Sequence, residues 1–164
     1  MPPVAQWNPP FSGEIDILIG ANGVWYHEGS AITRAPLVKL FSGILKREQD
    51  DYFLVTPAEK WRIQVEDAPF YVIDMEVAYR EGHQALFFST LTGDRVLADV
   101  DHPIRVQMDS ETGEPRPYVL VRDGMEGLIG RAVYYRMAEL VEEKQENGKT
   151  LIGVSSMSSF FPVT

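Results

Sequence analysis

The sequence predicts an α+β fold made of two related β-rich halves, each carrying one amphipathic helix. Three observations lead there. Short segments alternate apolar and polar residues, as Ile15, Ile17 and Ile19 do, which is the period of a half-buried strand. Two stretches place apolar residues at helical spacing instead. The same order of strand, turn, aromatic strand, helix, charged run and paired strands occurs twice along the 164 residues.

Residues 1–12 form a Pro-rich arm, because Met1-Pro2-Pro3 and Asn8-Pro9-Pro10 disfavour helix and cannot donate ladder hydrogen bonds. Trp7 and Phe11 are placed to pin it to the body. An N-terminal α+β domain is expected over 13–79. Its alternating isoleucines turn at Asn22-Gly23, the pair that best accepts hairpin dihedrals, and return through Val24–His27. Thr33 can cap a helix with Pro36 in its first turn, and Leu37, Leu40, Phe41, Ile44 and Leu45 share one face. The polar run Lys46 to Asp51 ends that helix. Strands follow at Tyr52–Val55 and Trp61–Val65.

A C-terminal α+β domain is expected over 80–164. Phe70–Tyr79 leads into it and pairs with Ala85–Leu91 across a turn at Arg80 to Gln84. Short strands follow at Arg95–Ala98, Ile104–Met108 and Tyr118–Val121. Asp123 and Glu126 stand at capping-box spacing. A second helix is predicted from Met125, Leu128, Ile129, Ala132, Val133, Leu140 and Val141, ending in the charged run Glu142 to Lys149. Aligning Leu37 with Met125 aligns Arg34 with Arg122, one arginine before each helix. Leu151–Val154 and Phe160–Val163 close the chain as strands.

Composition narrows the function. The formal net charge is −9, whereas nucleic-acid binding and docking on anionic lipid need basic surface. Neither partner is expected. There are no cysteines, so thiolate catalysis, disulfides and zinc ribbons are excluded. No phosphate loop, dinucleotide fingerprint or nucleophile elbow occurs, and no cofactor or metal is expected. The N-terminus lacks a signal-peptide core and no apolar run is long enough to cross a bilayer, so a cytoplasmic location is expected.

Several blocks resemble one bacterial family. They are Gly13-Glu14-Ile15-Asp16-Ile17, Trp25-Tyr26-His27-Glu28-Gly29-Ser30, Leu37-Val38-Lys39-Leu40-Phe41, Leu54–Lys60 with Val65–Phe70, Asp101-His102-Pro103-Ile104-Arg105-Val106, and Pro117-Tyr118-Val119-Leu120-Val121-Arg122. Together they resemble the domain of unknown function 1285 family. The resemblance implies two duplicated domains, the second pleckstrin-homology-like. It also implies a ligand site between the domains and a signalling role with a nucleotide-like ligand.

Against the acidic total, cations stand out as candidate ligand-binding groups. Lys60 and Arg62 fall on one strand face beside Trp61, a pattern suited to a planar anion. Arg34 and Arg122 sit at expected helix starts, where backbone N–H groups are exposed. Arg105, His27 and His102 complete the set. At least two of the five cations are expected to line one interdomain pocket with His27 or His102. Arg136, on the apolar stripe of the second helix, requires a carboxylate partner if buried. The leading expectation is a non-enzymatic regulatory module binding a small anion. The alternatives are a hydrolase using Asp101 and His102, and an adaptor whose sheet edge takes a protein partner.

Overall fold

The computed structural model describes residues 1–163; Thr164, the last residue of the second expected domain, lies outside them. Contacts divide the chain into two units, Met1–Pro69 with Asp123–Met125, and Phe70–Arg122 with the chain from Glu126 on. The division falls ten residues before the boundary expected at 79/80. The strand Phe70–Arg80 is the reason, since it pairs along most of its length inside the second unit.

The first unit contains β1 (Gly13–Ile19), β2 (Trp25–His27), β3 (Ser30–Ala31), α1 (Ala35–Gly43), β4 (Leu45–Glu48), β5 (Asp51–Val55) and β6 (Lys60–Val65). They form one six-stranded sheet ordered β3-β2-β1-β6-β5-β4. Two antiparallel meanders are joined by one parallel pair, β1 beside β6. Ile17, Ile19, Trp25, Leu45, Leu54 and Ile63 are buried, the inward positions of alternating strands. β5 departs from alternation, for Phe53, Leu54 and Val55 are all buried. Both of its faces are therefore covered. Leu54 faces inward, while Phe53 and Val55 form a separate cluster with Val4 from the N-terminal arm.

The second unit contains β7 (Phe70–Arg80), β8 (His83–Thr90), β9 (Arg95–Leu97), β10 (Ile104–Met108), β11 (Pro115–Arg122), β12 (Met125–Ile129, all but its first residue), α2 (Arg131–Ala138), β13 (Glu142–Glu146), β14 (Lys149–Ser156) and β15 (Ser159–Pro162). Its sheet runs β10-β11-β12-β7-β8-β9, with β7 and β12 as the parallel pair. That is the strand order of the first sheet advanced by six. A three-stranded sheet, β13-β14-β15, is added. It packs on β8, where the buried Ser156 hydroxyl donates to Ala98 O and accepts from Leu86 N.

The two helices do not occupy matching places. α1 lies between the third and fourth strands of its sheet, whereas α2 follows the sixth. The predicted second helix starts too early and runs too long. Met125, Gly127 and Ile129 are buried in alternation, so this stretch is strand. Asp123 and Gly124 take φ values of 51° and 74°, the paired positive dihedrals of a hairpin turn. That turn outcompetes the capping box read from Asp123 and Glu126. The charged run Glu142 to Lys149 is likewise a hairpin, turning at Asn147-Gly148. In α2 only Val133 and Met137 are buried, an i, i+4 pair on the side facing β7.

α1 also differs from expectation. Leu45 belongs to β4, Leu40 is 61% exposed, and Ser42 is the helix's buried residue. The helix is held at one edge instead, where Phe41 stacks on the buried Trp25 ring at 6.3 Å.

The added three-stranded sheet depends on one close approach. A Cβ on Gly153 would lie 2.3 Å from Phe161 O and 2.7 Å from the Phe160 ring. Gly153→Ala is therefore expected to destabilise the protein by about 1–3 kcal/mol through overpacking. A urea midpoint equal to wild type would refute this packing.

Candidate functional site

Four of the predicted site residues lie in the first unit and three in the second. Lys60 and Arg62 do share a face, as their spacing required. Their aromatic neighbours are Phe53 and Phe11 rather than Trp61. The Lys60 ammonium lies 4.8 Å from the Phe53 ring centre and the Arg62 guanidinium 5.4 Å from that of Phe11. Each cation is also paired. Lys60 Nζ donates to Glu48 at 2.9 Å, and Arg62 bonds Glu14. Glu48 takes a second ammonium, Lys46, at 3.5 Å. The hydrogen bond from Lys60, reinforced by the charges of both lysines, holds the Glu48 carboxyl below its ordinary value.

Arg105 and Arg122 are paired in the same manner. Arg105 Nε and Nη2 grip both oxygens of Glu126 at 2.7 and 2.8 Å. The Arg122 Nε donates to Asp94 at 3.0 Å, with both side chains mostly shielded from solvent. Its guanidinium also covers the Phe70 ring at 4.8 Å. Arg122 ends a strand and precedes no helix, so the expected symmetry with Arg34 is absent. Arg34 does precede α1, and its side chain meets no carboxylate among the described residues. Arg136 is exposed rather than buried on an apolar stripe, and it donates to Asp74 Oδ1 at 2.7 Å and to Met75 O.

The histidines serve turns and edges. His27 is exposed at the end of β2, opposite Ser30. The next residue, Glu28, takes a φ of 50° and donates its N–H to Asp16 O. His102 Nδ1 lies 2.9 Å from Asp99 Oδ1, which also accepts the N–H groups of Asp101 and His102. Burial opposes charge on Asp99. The bonds from His102 and these N–H groups overcome it, and the carboxyl stays below its usual range. The carboxylate facing His102 is thus Asp99, the turn-former, and not Asp101. Among the described residues, no group of three His, Asp or Glu side chains is placed to hold a metal ion.

One concavity in the first unit escaped sequence reasoning. It has a volume of about 980 Å³ and lies across β1, β6 and the start of β5. Pairing of β1 with β6 is interrupted between Glu14 and Leu18, which lets the groove form. Ile15, Leu18, Ile63 and Val65 supply apolar lining, and Glu14, Asp16, Asp50, Asp51 and Glu66 bring carboxylates to it. Its cation is Arg62, already bonded to Glu14. Asp16, Asp51 and Glu66 have no cationic partner among the described residues. These acids are far apart in sequence, so no local motif announces them.

Two outcomes follow from the pairing. Arg122→Ala should cost about 1–3 kcal/mol, because it strands a shielded carboxylate, whereas Arg34→Ala should stay within about 0.5 kcal/mol of wild type. Thermal melts of both variants check this, and equal losses would refute it. Glu48 is depressed below its ordinary 4.5. Its stabilising contribution is therefore complete above that pH and is lost as pH falls through the lower folded value. Below about pH 4.5 the wild-type melting temperature should fall more steeply than that of Glu48→Gln. Parallel pH profiles would contradict the Lys46–Glu48–Lys60 arrangement.

Comparison with known proteins places these features in a family. Residues 2–68 match the family described as "Domain of unknown function (DUF1285), N-terminal domain", and residues 69–163 match its C-terminal domain. The crystal structure of a DUF1285 family protein from Silicibacter pomeroyi DSS-3 is 49% identical, with a TM-score of 0.91 over 99% of this chain and 86% of that one. A DUF1285 family protein from Shewanella baltica OS155 is 34% identical, with a TM-score of 0.58 over 75% of this chain and 90% of that one. No curated protein matches the chain. The family boundary at 68/69 adjoins the structural division at 69/70. This chain belongs to the DUF1285 family.

Proposed function

We propose that the protein is a non-catalytic binding module whose first unit takes a ligand bearing several spaced ammonium groups. The observation that carries this reading is the groove in which Asp16, Asp51 and Glu66 converge without cationic partners. Unpaired like charges around one concavity repel each other, and a cationic ligand relieves that repulsion. Each carboxylate is exposed, where one ion pair is worth about 0.2–1 kcal/mol, so several spaced cations on one ligand are needed to bind well. The net charge of −9 steers cations toward such a surface. The spread of the carboxylates suits an extended organic cation better than a single metal ion. A linear polyamine and a lysine-rich peptide segment share this chemistry.

The sequence favoured a small anion instead. Among its candidate cations, Lys60, Arg62, Arg105 and Arg122 each hold a carboxylate, so an anion would first have to displace an internal partner. The shared strand order of the two sheets supports the doubled ancestry implied by the family resemblance. A module of this kind would act in regulation by binding rather than turnover.

Titration of the protein with spermidine and with a lysine-rich decapeptide, followed by calorimetry, tests the reading. Binding should weaken at least about fivefold between roughly 50 and 300 mM salt, as screening shortens the Debye length. The double variant Asp16→Asn, Asp51→Asn should lose about tenfold in affinity. Preference for one probe identifies the source. Failure of both to bind at low salt, or equal binding by the double variant, would overturn it.

A further inference from the structure

The N-terminal arm does more than finish the chain. Its backbone makes no strand pairing until Ser12, whose N–H donates to Lys60 O while its hydroxyl accepts from Lys60 N. Before that point it lies on the outer face of β4, β5 and β6. Cross-strand register puts Lys46 opposite Phe53 and Lys60 opposite Val55, so these four side chains share that face. Val4 enters between Phe53 and Val55 with Trp7 packed alongside. Lys46 Nζ donates to Trp7 O at 3.0 Å and to Asn8 Oδ1 at 3.2 Å. Phe11 meets Phe53 edge to face at 6.3 Å.

These contacts have the logic of peptide recognition. Within the arm a short turn pairs Pro2, Pro3 and Val4 carbonyls with the N–H groups of Val4, Gln6 and Trp7, and its prolines carry no N–H, so beyond the turn a receptor must offer donors and apolar rings rather than acceptors. This face supplies an ammonium donor, two aromatic or aliphatic contacts and one slot for a Val-sized side chain. The cluster beneath the arm is small and distinct from the main core. Small satellite clusters under loops open at lower cost than the domain unfolds.

We propose that this face is a recognition seat for uncharged, proline-flanked hydrophobic peptides, occupied in cis by the protein's own arm. The partner is a protein segment with the chemistry of Pro-Pro-Val-x-x-Trp-Asn-Pro-Pro-Phe, admitted when the arm lifts. Glu48 orients the seat, because it holds Lys46 and Lys60 on either side of Phe53. The seat is separate from the acidic groove in chemistry, since its ligand carries no charge.

The probe is a fluorescent synthetic peptide of residues 2–11, titrated into the full chain and read by anisotropy. Tethering gives the arm a local concentration of about 1 mM or more, so wild type should bind the probe negligibly below that concentration. Val4→Asp removes the anchor, and should raise probe affinity at least about tenfold. Lys46→Met added to Val4→Asp should abolish the gain. Trp7→Ser releases the arm more mildly and replaces Val4→Asp if that variant melts early. Three results would overturn the proposal. They are a folded, arm-released variant that binds no better than wild type, equal binding of a scrambled peptide, and a wild-type dimer that exchanges arms on size-exclusion chromatography with light scattering. Salt should leave the affinity unchanged within about twofold, which separates this seat from the groove.

Discussion

Each six-stranded sheet depends on one parallel strand pair. In the first unit, β1–β2–β3 and β4–β5–β6 are local meanders that short turns can form unaided. Only the pairing of β1 with β6 joins them into a sheet broad enough to cover a core. β7 and β12 do the same in the second unit. Parallel pairing demands a long connection, and here the other four strands are that connection. The pair closes late in sequence terms, so its loop entropy must be offset by the burial of Ile17, Ile19 and Ile63 on one side and Phe70, Val72 and Ile129 on the other. The irregular register of β1 against β6 shows where this constraint is loosest, and the acidic groove lies there.

Charge is distributed around that framework in a way the total conceals. The cations are largely consumed by pairing. Arg105 reaches across β11 to Glu126 on β12, and Arg136 ties α2 to Asp74 on β7. Lys46 and Lys60 bracket Glu48 in the first. Several lie over aromatic rings as well, as Arg95 does over Phe87 at 4.0 Å, so their stems shield apolar surface that strands alone leave open. The excess of acids then falls where pairing is absent, and the groove is one such place. A net charge of −9 therefore reads as local unpaired carboxylates rather than a uniform coat.

Strands covered on both faces mark the places where extra elements attach. β5 is sandwiched between its core and the N-terminal arm. β8, with Ala85 through Phe88 all buried, is covered by the three-stranded sheet, through Ser156, and by arginine side chains. A continuous apolar run on an antiparallel sheet reports such a second layer. Tyr52–Val55 and Ala85–Phe88 are both runs of this kind, and each reports a covering element that is remote in sequence.

The sequence by itself determined β1 and β10 from clear alternation, because period-two patterning is local and needs no partner to be read, and it placed β6, β7 and β8 from apolar runs bounded by turn residues. It also determined the Asn22-Gly23 turn, the family, and the shared face of Lys60 and Arg62. It misplaced the second helix, because Met125, Leu128, Ile129 and Val133 satisfy helical spacing, whereas the alternating set Met125, Gly127 and Ile129 hides a glycine at its centre, and only the Asp123-Gly124 turn decides for the strand. Partners were beyond its reach. Lys60 pairs with Glu48, not the adjacent Glu59, and Asp99 rather than Asp101 meets His102. The groove was equally illegible, since Glu14, Asp51 and Glu66 meet only once β1, β5 and β6 lie side by side. Tertiary structure decided these features because side-chain pairing depends on strand order and register, and long-range register leaves no trace in local residue spacing.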